Sequence, residues 1–168
     1  MATNIKKIVA QEYLKCAKDP IYFMKKYCYI QHPTRGRILF NLYPFQEKVL
    51  EHFKDQQYLI TLKSRQLGIS TLSSAYSLWL MIFHKDKNVL ALATTQATAR
   101  NLVTKVIFMY DQLPKWLRLK SVEKNKLSLR LKNGSKIQAK SSNADAARSE
   151  AVSLLVIDEA AFIDNIDE

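Results

Sequence analysis

The chain has 168 residues and a mass of 19.4 kDa, which is room for one domain with a real hydrophobic core. With 48% hydrophobic and 24% charged residues, the composition is globular and excludes an intrinsically disordered chain. Lys and Arg number 26 against 15 Asp and Glu, so the formal charge is +11.

The apolar run at 78–83 is far too short to span a bilayer, and residues 1–13 carry no secretory pattern. The two cysteines, Cys16 and Cys28, make neither a disulfide framework nor a metal cluster, so a reducing, cytoplasmic setting is expected. Positive charge is concentrated: residues 115–140 hold nine basic residues and one acidic, Glu123, whereas residues 157–168 hold five acidic and none basic. Such a field attracts a polyanion, of which nucleic acid is the commonest. The same run also reads as a solvated face that keeps the protein soluble.

In chain order, Ile5, Ile8, Val9, Tyr13 and Cys16 predict a helix over 5–17. Asp19-Pro20 supplies an N-cap and a first helical position for a short helix over 20–28. Residues 32–37 predict a turn, residues 38–42 a short strand, and Tyr43-Pro44 opens a helix over 44–54. The apolar run 58–62 predicts a buried strand, and residues 70–84, apolar almost all round, a helix packed on a sheet. Residues 88–94 predict another buried strand and 97–113 a helix, with Leu102, Val106, Ile107 and Met109 available to the core. Strand and helix in alternation predict a parallel sheet with crossover helices. Residues 127–132 and 135–140 alternate apolar and polar about Asn133-Gly134, a hairpin signal. Residues 154–157 predict a last buried strand, ending in Asp158-Glu159.

Two constellations carry chemistry. Lys63-Ser64-Arg65-Gln66-Leu67-Gly68-Ile69-Ser70-Thr71 follows a predicted strand and opens a predicted helix, the setting of a phosphate loop. Gly68 and Ser70 stand where the second Gly and the Ser/Thr of G-x-x-x-x-G-K-[ST] belong, but Ile69 takes the lysine position and Lys63 the first-Gly position. The segment reads equally as a strand–turn–helix with solvated cations. Asp158-Glu159 ends an apolar strand, where one acid can hold magnesium and the next polarise an attacking water. A core strand whose end meets solvent through acids is the plainer reading. Gly68 precedes Asp158 by 90 residues, so the two constellations stand in the order a phosphate-loop hydrolase requires.

The sequence resembles the large subunit of tailed-phage terminases, the viral DNA-packaging motors, over residues 19–164. The resemblance rests on Asp19-Pro20, Tyr43-Pro44-Phe45-Gln46, Ser64-Arg65-Gln66-Leu67-Gly68, Asn133-Gly134-Ser135, Ala146-Ala147-Arg148-Ser149 and Asp158-Glu159-Ala160-Ala161-Phe162. It implies an α/β P-loop NTPase fold of the ASCE type, a parallel sheet flanked by helices with a hairpin near 127–140. It divides the chain into an N-terminal helical or lid segment, 1–42, and a partial ATPase core, 43–168. Gln46, with Tyr43, is similar to the family's adenine-recognition element. Some relatives carry the loop lysine at the start of the loop, which makes Lys63 the phosphate lysine and Arg65 a γ-phosphate sensor, with Arg65 the phosphate cation instead if Lys63 points away. Residues 63–71 as a whole would hold ATP, with Ser70 and Asp158 on Mg2+ and Glu159 orienting water. Arg148 resembles an arginine inserted in trans by a neighbouring subunit, and reads equally as a surface arginine paired with Glu150 or Asp145; Ser149 stands where most relatives have Gly. Thr94-Thr95-Gln96 could couple nucleotide to DNA, or could simply cap a helix. Lys115, Arg118, Lys120, Lys124 and Lys126 are the candidate DNA-backbone contacts.

The implied activity is ATP hydrolysis coupled to translocation of double-stranded DNA into a capsid. The implied partners are the portal protein, the small terminase subunit and further copies in a ring. The implied place is the host cytoplasm, docked on a procapsid, with no membrane. The family's nuclease domain and the coupling motif after the acidic pair are not in these residues. In related sheets that motif's strand lies between the loop strand and the acidic strand, so a polypeptide ending at Glu168 would be C-terminally incomplete and lack an internal strand. The alternatives are a helicase-like DNA-dependent ATPase and a non-catalytic DNA-binding or assembly fragment that retains the fold.

Overall fold

The structure, a computed structural model, describes residues 2–141 and 151–163. Helix α1 (Ala2–Lys18) is followed by α2 (Pro20–Tyr27), which opens as the sequence dictates: the Asp19 carboxylate accepts from the Ile21 N–H at 2.8 Å, and Pro20 needs no donor at that position. Strands β1 (Tyr29–His32) and β2 (Gly36–Leu39) form an antiparallel hairpin. The predicted turn over 32–37 narrows to residues 33–35, and pairing begins earlier than the predicted 38–42. Helix α3 (Pro44–Asp55) follows. Then come α4 (Ile69–Phe83), β3 (Asn88–Ala93), α5 (Gln96–Gln112), β4 (Ser121–Lys124), β5 (Ser128–Leu131), β6 (Lys136–Ser141) and β7 (Leu154–Ile157), with a 3-10 turn at Ala160–Phe162.

Five strands make one sheet in the order β4-β5-β6-β3-β7. Strand β3 runs parallel to both neighbours, with Leu90 opposite Gln138 of β6 and Leu155 of β7. The hairpin strands β5 and β6 are antiparallel, and β4 adds an antiparallel edge. The sheet is therefore mixed, and the expected parallel arrangement holds for β6, β3 and β7. Helix α5 packs on β3, β6 and α4. Leu72, Leu78, Met81 and Ile82 of α4 share one buried core with Met109 of α5 and Ile137 of β6. That core continues into the N-terminal elements. The Trp79 indole donates to the Cys16 carbonyl at 2.8 Å, and Phe83 meets the rings of Tyr13 and Phe23 edge-on.

The Asn133-Gly134 turn does more than reverse the chain. Asn133 Nδ2 donates to the carbonyls of Met81 at 2.8 Å and His84 at 3.1 Å, and the Ser135 hydroxyl donates to His84 at 2.8 Å. These bonds satisfy carbonyls at the end of α4 that have no partner within the helix.

The predicted buried strand at 58–62 is absent. The segment has no strand structure; Ile60 is 97% exposed, and Tyr58 and Leu62 are as bare. Among the described residues, β7 pairs with β3 alone, which makes it an edge of the sheet. An apolar run becomes a buried strand only where a neighbour takes its backbone hydrogen bonds and a second layer covers its side chains. Neither is present among the described residues.

Candidate nucleotide site

Residues 63–68 form an irregular loop running into the N-terminus of α4, so the loop–helix half of the predicted motif is present without its strand. Gly68 is the N-cap residue with φ +72, and Gln66 also lies in the left-handed region at φ +65. That region costs a non-glycine residue about 1–3 kcal/mol and concentrates at sites where backbone direction matters. Lys63, Ser64, Arg65, Gln66 and Leu67 are exposed, Ser70 and Thr71 half-buried, and Ile69 buried in the core. Ile69 at the usual lysine position thus anchors the helix, and the loop's two cations, Lys63 and Arg65, remain open to solvent. Ser70 stands in the first turn of α4, where free N–H groups and the helix dipole favour an anion.

Gln46, in the first turn of α3, is 2% exposed. Its Oε1 accepts from the Tyr43 N–H at 3.0 Å, and its Nε2 donates to the Leu67 carbonyl at 2.9 Å. Tyr43 is exposed and lies parallel to Phe45 at 5.7 Å between centroids.

The acidic pair lies at the end of β7. The Asp158 N–H donates to the Leu92 carbonyl of β3 at 3.0 Å, which ties the half-buried Asp158 to the central strand. Glu159 is exposed and left-handed, at φ +57, so the chain turns sharply out of the strand at this acid. Lys105, on α5, was not singled out in the sequence. Burial lowers its pKa most; the Asp158 carboxylate raises it and the Lys63 ammonium lowers it further. Lys105 is therefore within electrostatic reach of both the loop lysine and the strand acid. Nothing in the sequence marks Lys105 as more than a polar position on a long helix. A hydroxyl at Ser70 and a carboxylate at Asp158 are the hard oxygen donors that suit Mg2+, which keeps several waters. Among the described residues no three His, Cys, Asp or Glu side chains cluster as a metal cage, so any such ion would draw on water or substrate oxygens.

Other predicted residues are dispersed. Thr95 is the N-cap of α5, its hydroxyl accepting from the Thr98 N–H at 3.1 Å. Lys124 is paired with Asp111 at 2.8 Å, and Arg118 donates to the Asp111 carbonyl at 3.1 Å. Lys115, Lys120 and Lys126 are exposed. Arg148 lies outside the described residues. No helix among the described residues is long and apolar enough to cross a membrane.

Residues 60–168, more than half of the chain, match the family model for the terminase large subunit, T4likevirus-type, N-terminal. Among solved structures, the HK97 bacteriophage large terminase is similar with a TM-score of 0.68 at 17% identity, over 87% of this chain and 31% of that one. That likeness is one of fold, and the chain spans less than a third of the HK97 chain's length.

Proposed function

The chain belongs to the terminase large-subunit family, and from that premise we propose that it forms the ATPase portion of a DNA-packaging motor, coupling Mg-ATP hydrolysis to movement of double-stranded DNA into a capsid. The observation that supports this reading best is the Gly68-capped loop running into the N-terminus of α4, the loop–helix half of a phosphate-binding motif.

Lys63 and Arg65 would neutralise the β- and γ-phosphates, while the first turn of α4 would bind them through backbone N–H groups. Ser70 and Asp158 would hold Mg2+, which when bound supplies charge neutralisation at the transferred phosphoryl group. Glu159 would orient the attacking water and accept its proton as the new bond to the γ-phosphorus forms and the bond to the β,γ-bridging oxygen breaks, leaving ADP and phosphate. Tyr43 would offer an exposed ring to the adenine base. Arg148 would reach the site of a neighbouring copy in a ring. Lys115, Lys120 and Lys126 would touch duplex phosphates without reading bases, since a motor must pass over any sequence. The portal protein and the small terminase subunit would complete the assembly on a procapsid in the host cytoplasm.

The reading is tested by phosphate release from Mg-ATP with duplex DNA present, comparing the parent protein with Glu159→Gln. A fall of about 10²–10⁴-fold is expected for loss of a general base. Equal rates would remove Glu159 from the chemistry. One observation favours a second reading, a DNA-binding or assembly module without turnover: the residues that lead into the loop, 58–62, lie outside the sheet.

A further inference from the structure

Lys105 stands outside the residues assigned to the phosphate site. It lies in the middle of α5 on the flank of the buried face, one turn from Leu102 and Met109, both in the core. A lysine so placed lays its methylene stem along apolar surface and carries its ammonium to an open side. The residue is half-buried, and no polar side-chain atom among the described residues is sealed from solvent without a partner, so the ammonium is not shut away. It has no hydrogen bond or ion pair of its own among the described residues. Helix α5 packs on α4, which the loop opens, and on β3, whose Leu92 carbonyl holds the Asp158 N–H at 3.0 Å. The helix that carries Lys105 therefore lies against both halves of the proposed site.

The charges that act on Lys105 come from those same halves. Burial disfavours its ammonium most, the Asp158 carboxylate favours it, and the Lys63 ammonium disfavours it. With Asp158 committed to Mg2+, the two ammoniums would be left without a carboxylate to offset them. A half-buried cation near a second one is costly unless an anion joins them. A polyphosphate is such an anion, and its non-bridging oxygens accept charge-assisted hydrogen bonds from both sides. We propose that Lys105 is a further phosphate-binding residue, a cation that meets the terminal phosphate of a nucleoside triphosphate from α5 while Lys63 meets it from the loop. The proposal rests on the phosphate-site reading above. The terminal phosphate is the one named because magnesium in such sites bridges the β- and γ-oxygens, and Lys105 answers to the acid proposed to hold that ion.

The test compares the parent chain with Lys105→Met, which keeps the stem and removes the charge, and Lys105→Arg, which keeps the charge. Calorimetry measures binding of Mg-tripolyphosphate, Mg-ATPγS and Mg-ADP, and urea unfolding is followed without any ligand. Losing one charge-assisted contact is expected to weaken tripolyphosphate and ATPγS by about 10- to 100-fold in Lys105→Met. Binding of ADP, which has no terminal phosphate to lose, should change by less than about twofold. Lys105→Arg should recover most of the loss. The urea midpoint of Lys105→Met should equal or exceed that of the parent, since a half-buried charge has been removed. Parent-like ATPγS binding by Lys105→Met would overturn the proposal and leave the phosphate site standing. An equal fall for ADP would take Lys105 away from the terminal phosphate and overturn it too. So would a loss in Lys105→Arg as large as in Lys105→Met, or a lowered urea midpoint with unchanged affinities, which would make Lys105 a structural partner of Asp158. No binding of any ligand by the parent would remove the phosphate-site reading, and the proposal with it.

Discussion

Glu12 shows how much one side chain can organise. Its Oε1 accepts from the Tyr22 and Tyr27 hydroxyls, both at 2.7 Å, and from the Lys26 ammonium at 2.6 Å, joining α1 to α2. The Lys26 hydrogen bond, followed by those of the two tyrosines, holds the Glu12 carboxyl at about 2 against an ordinary 4.5. A carboxylate favoured in the folded state contributes stability above its unfolded pKa. That contribution is lost as pH falls from about 4.5 toward 2. The melting temperature of the parent should therefore drop across this window more steeply than that of Glu12→Gln, as circular dichroism would show. Parallel curves would remove Glu12 from the acid response. The two cysteines are quieter: both are buried, and burial raises the Cys16 thiol to about 12, which leaves it unreactive at neutral pH.

At the scale of elements, the hairpin turn is the sharpest case. Gly134 has φ +86, and a Cβ there would run into the Asp86 carboxylate, which would have to swing aside. Gly134→Ala would combine left-handed strain with a clash, and would loosen the bonds from Asn133 and Ser135 to the end of α4. A loss of about 2–4 kcal/mol is expected in urea unfolding, from backbone strain and weakened hydrogen bonds together. A change under about 0.5 kcal/mol would mean that the turn does not latch the helix. The sequence was legible at this position because Asn-Gly between alternating runs has a local cause. Helices α2 and α3 were legible for the same reason, through Asp19-Pro20 and Tyr43-Pro44. Strand β4 was not, because Ser121, Val122, Glu123 and Lys124 are a mostly exposed edge with little alternation to read. The strand expected at 58–62 was misread because an apolar run records what a segment can bury, while pairing depends on a neighbour that lies elsewhere in the chain. In the site, the loop and the acidic pair could be read from residue types in order. Lys105 and the engagement of Gln46 with Leu67 could not, since both arise from tertiary approach between distant segments.

Across the whole molecule, charge is unevenly available for binding. All five lysines and arginines expected on DNA are exposed, but Lys124 and Arg118 already interact with Asp111, which leaves Lys115, Lys120 and Lys126 as the exposed cations outside that contact. Duplex DNA binding should weaken with salt. Replacing any of these three by Ala should reduce the slope of log K against log salt by about 1, whatever the DNA sequence. Lys124→Ala should change the slope less. Fluorescence anisotropy across a salt series checks both, and salt-independent binding would refute an electrostatic DNA face.

The proposed site draws on three distant pieces of chain: α3, the loop that opens α4, and the end of β7. The central claim is that this arrangement holds a triphosphate on the 63–71 loop. Calorimetric titration of Mg-ATPγS into the chain, with Lys63→Ala in parallel, tests it most directly. Saturable binding that the substitution weakens by at least about tenfold is predicted, the loss of one charge-assisted contact to phosphate. Equal affinity in the two proteins, or no binding by the parent, would contradict it.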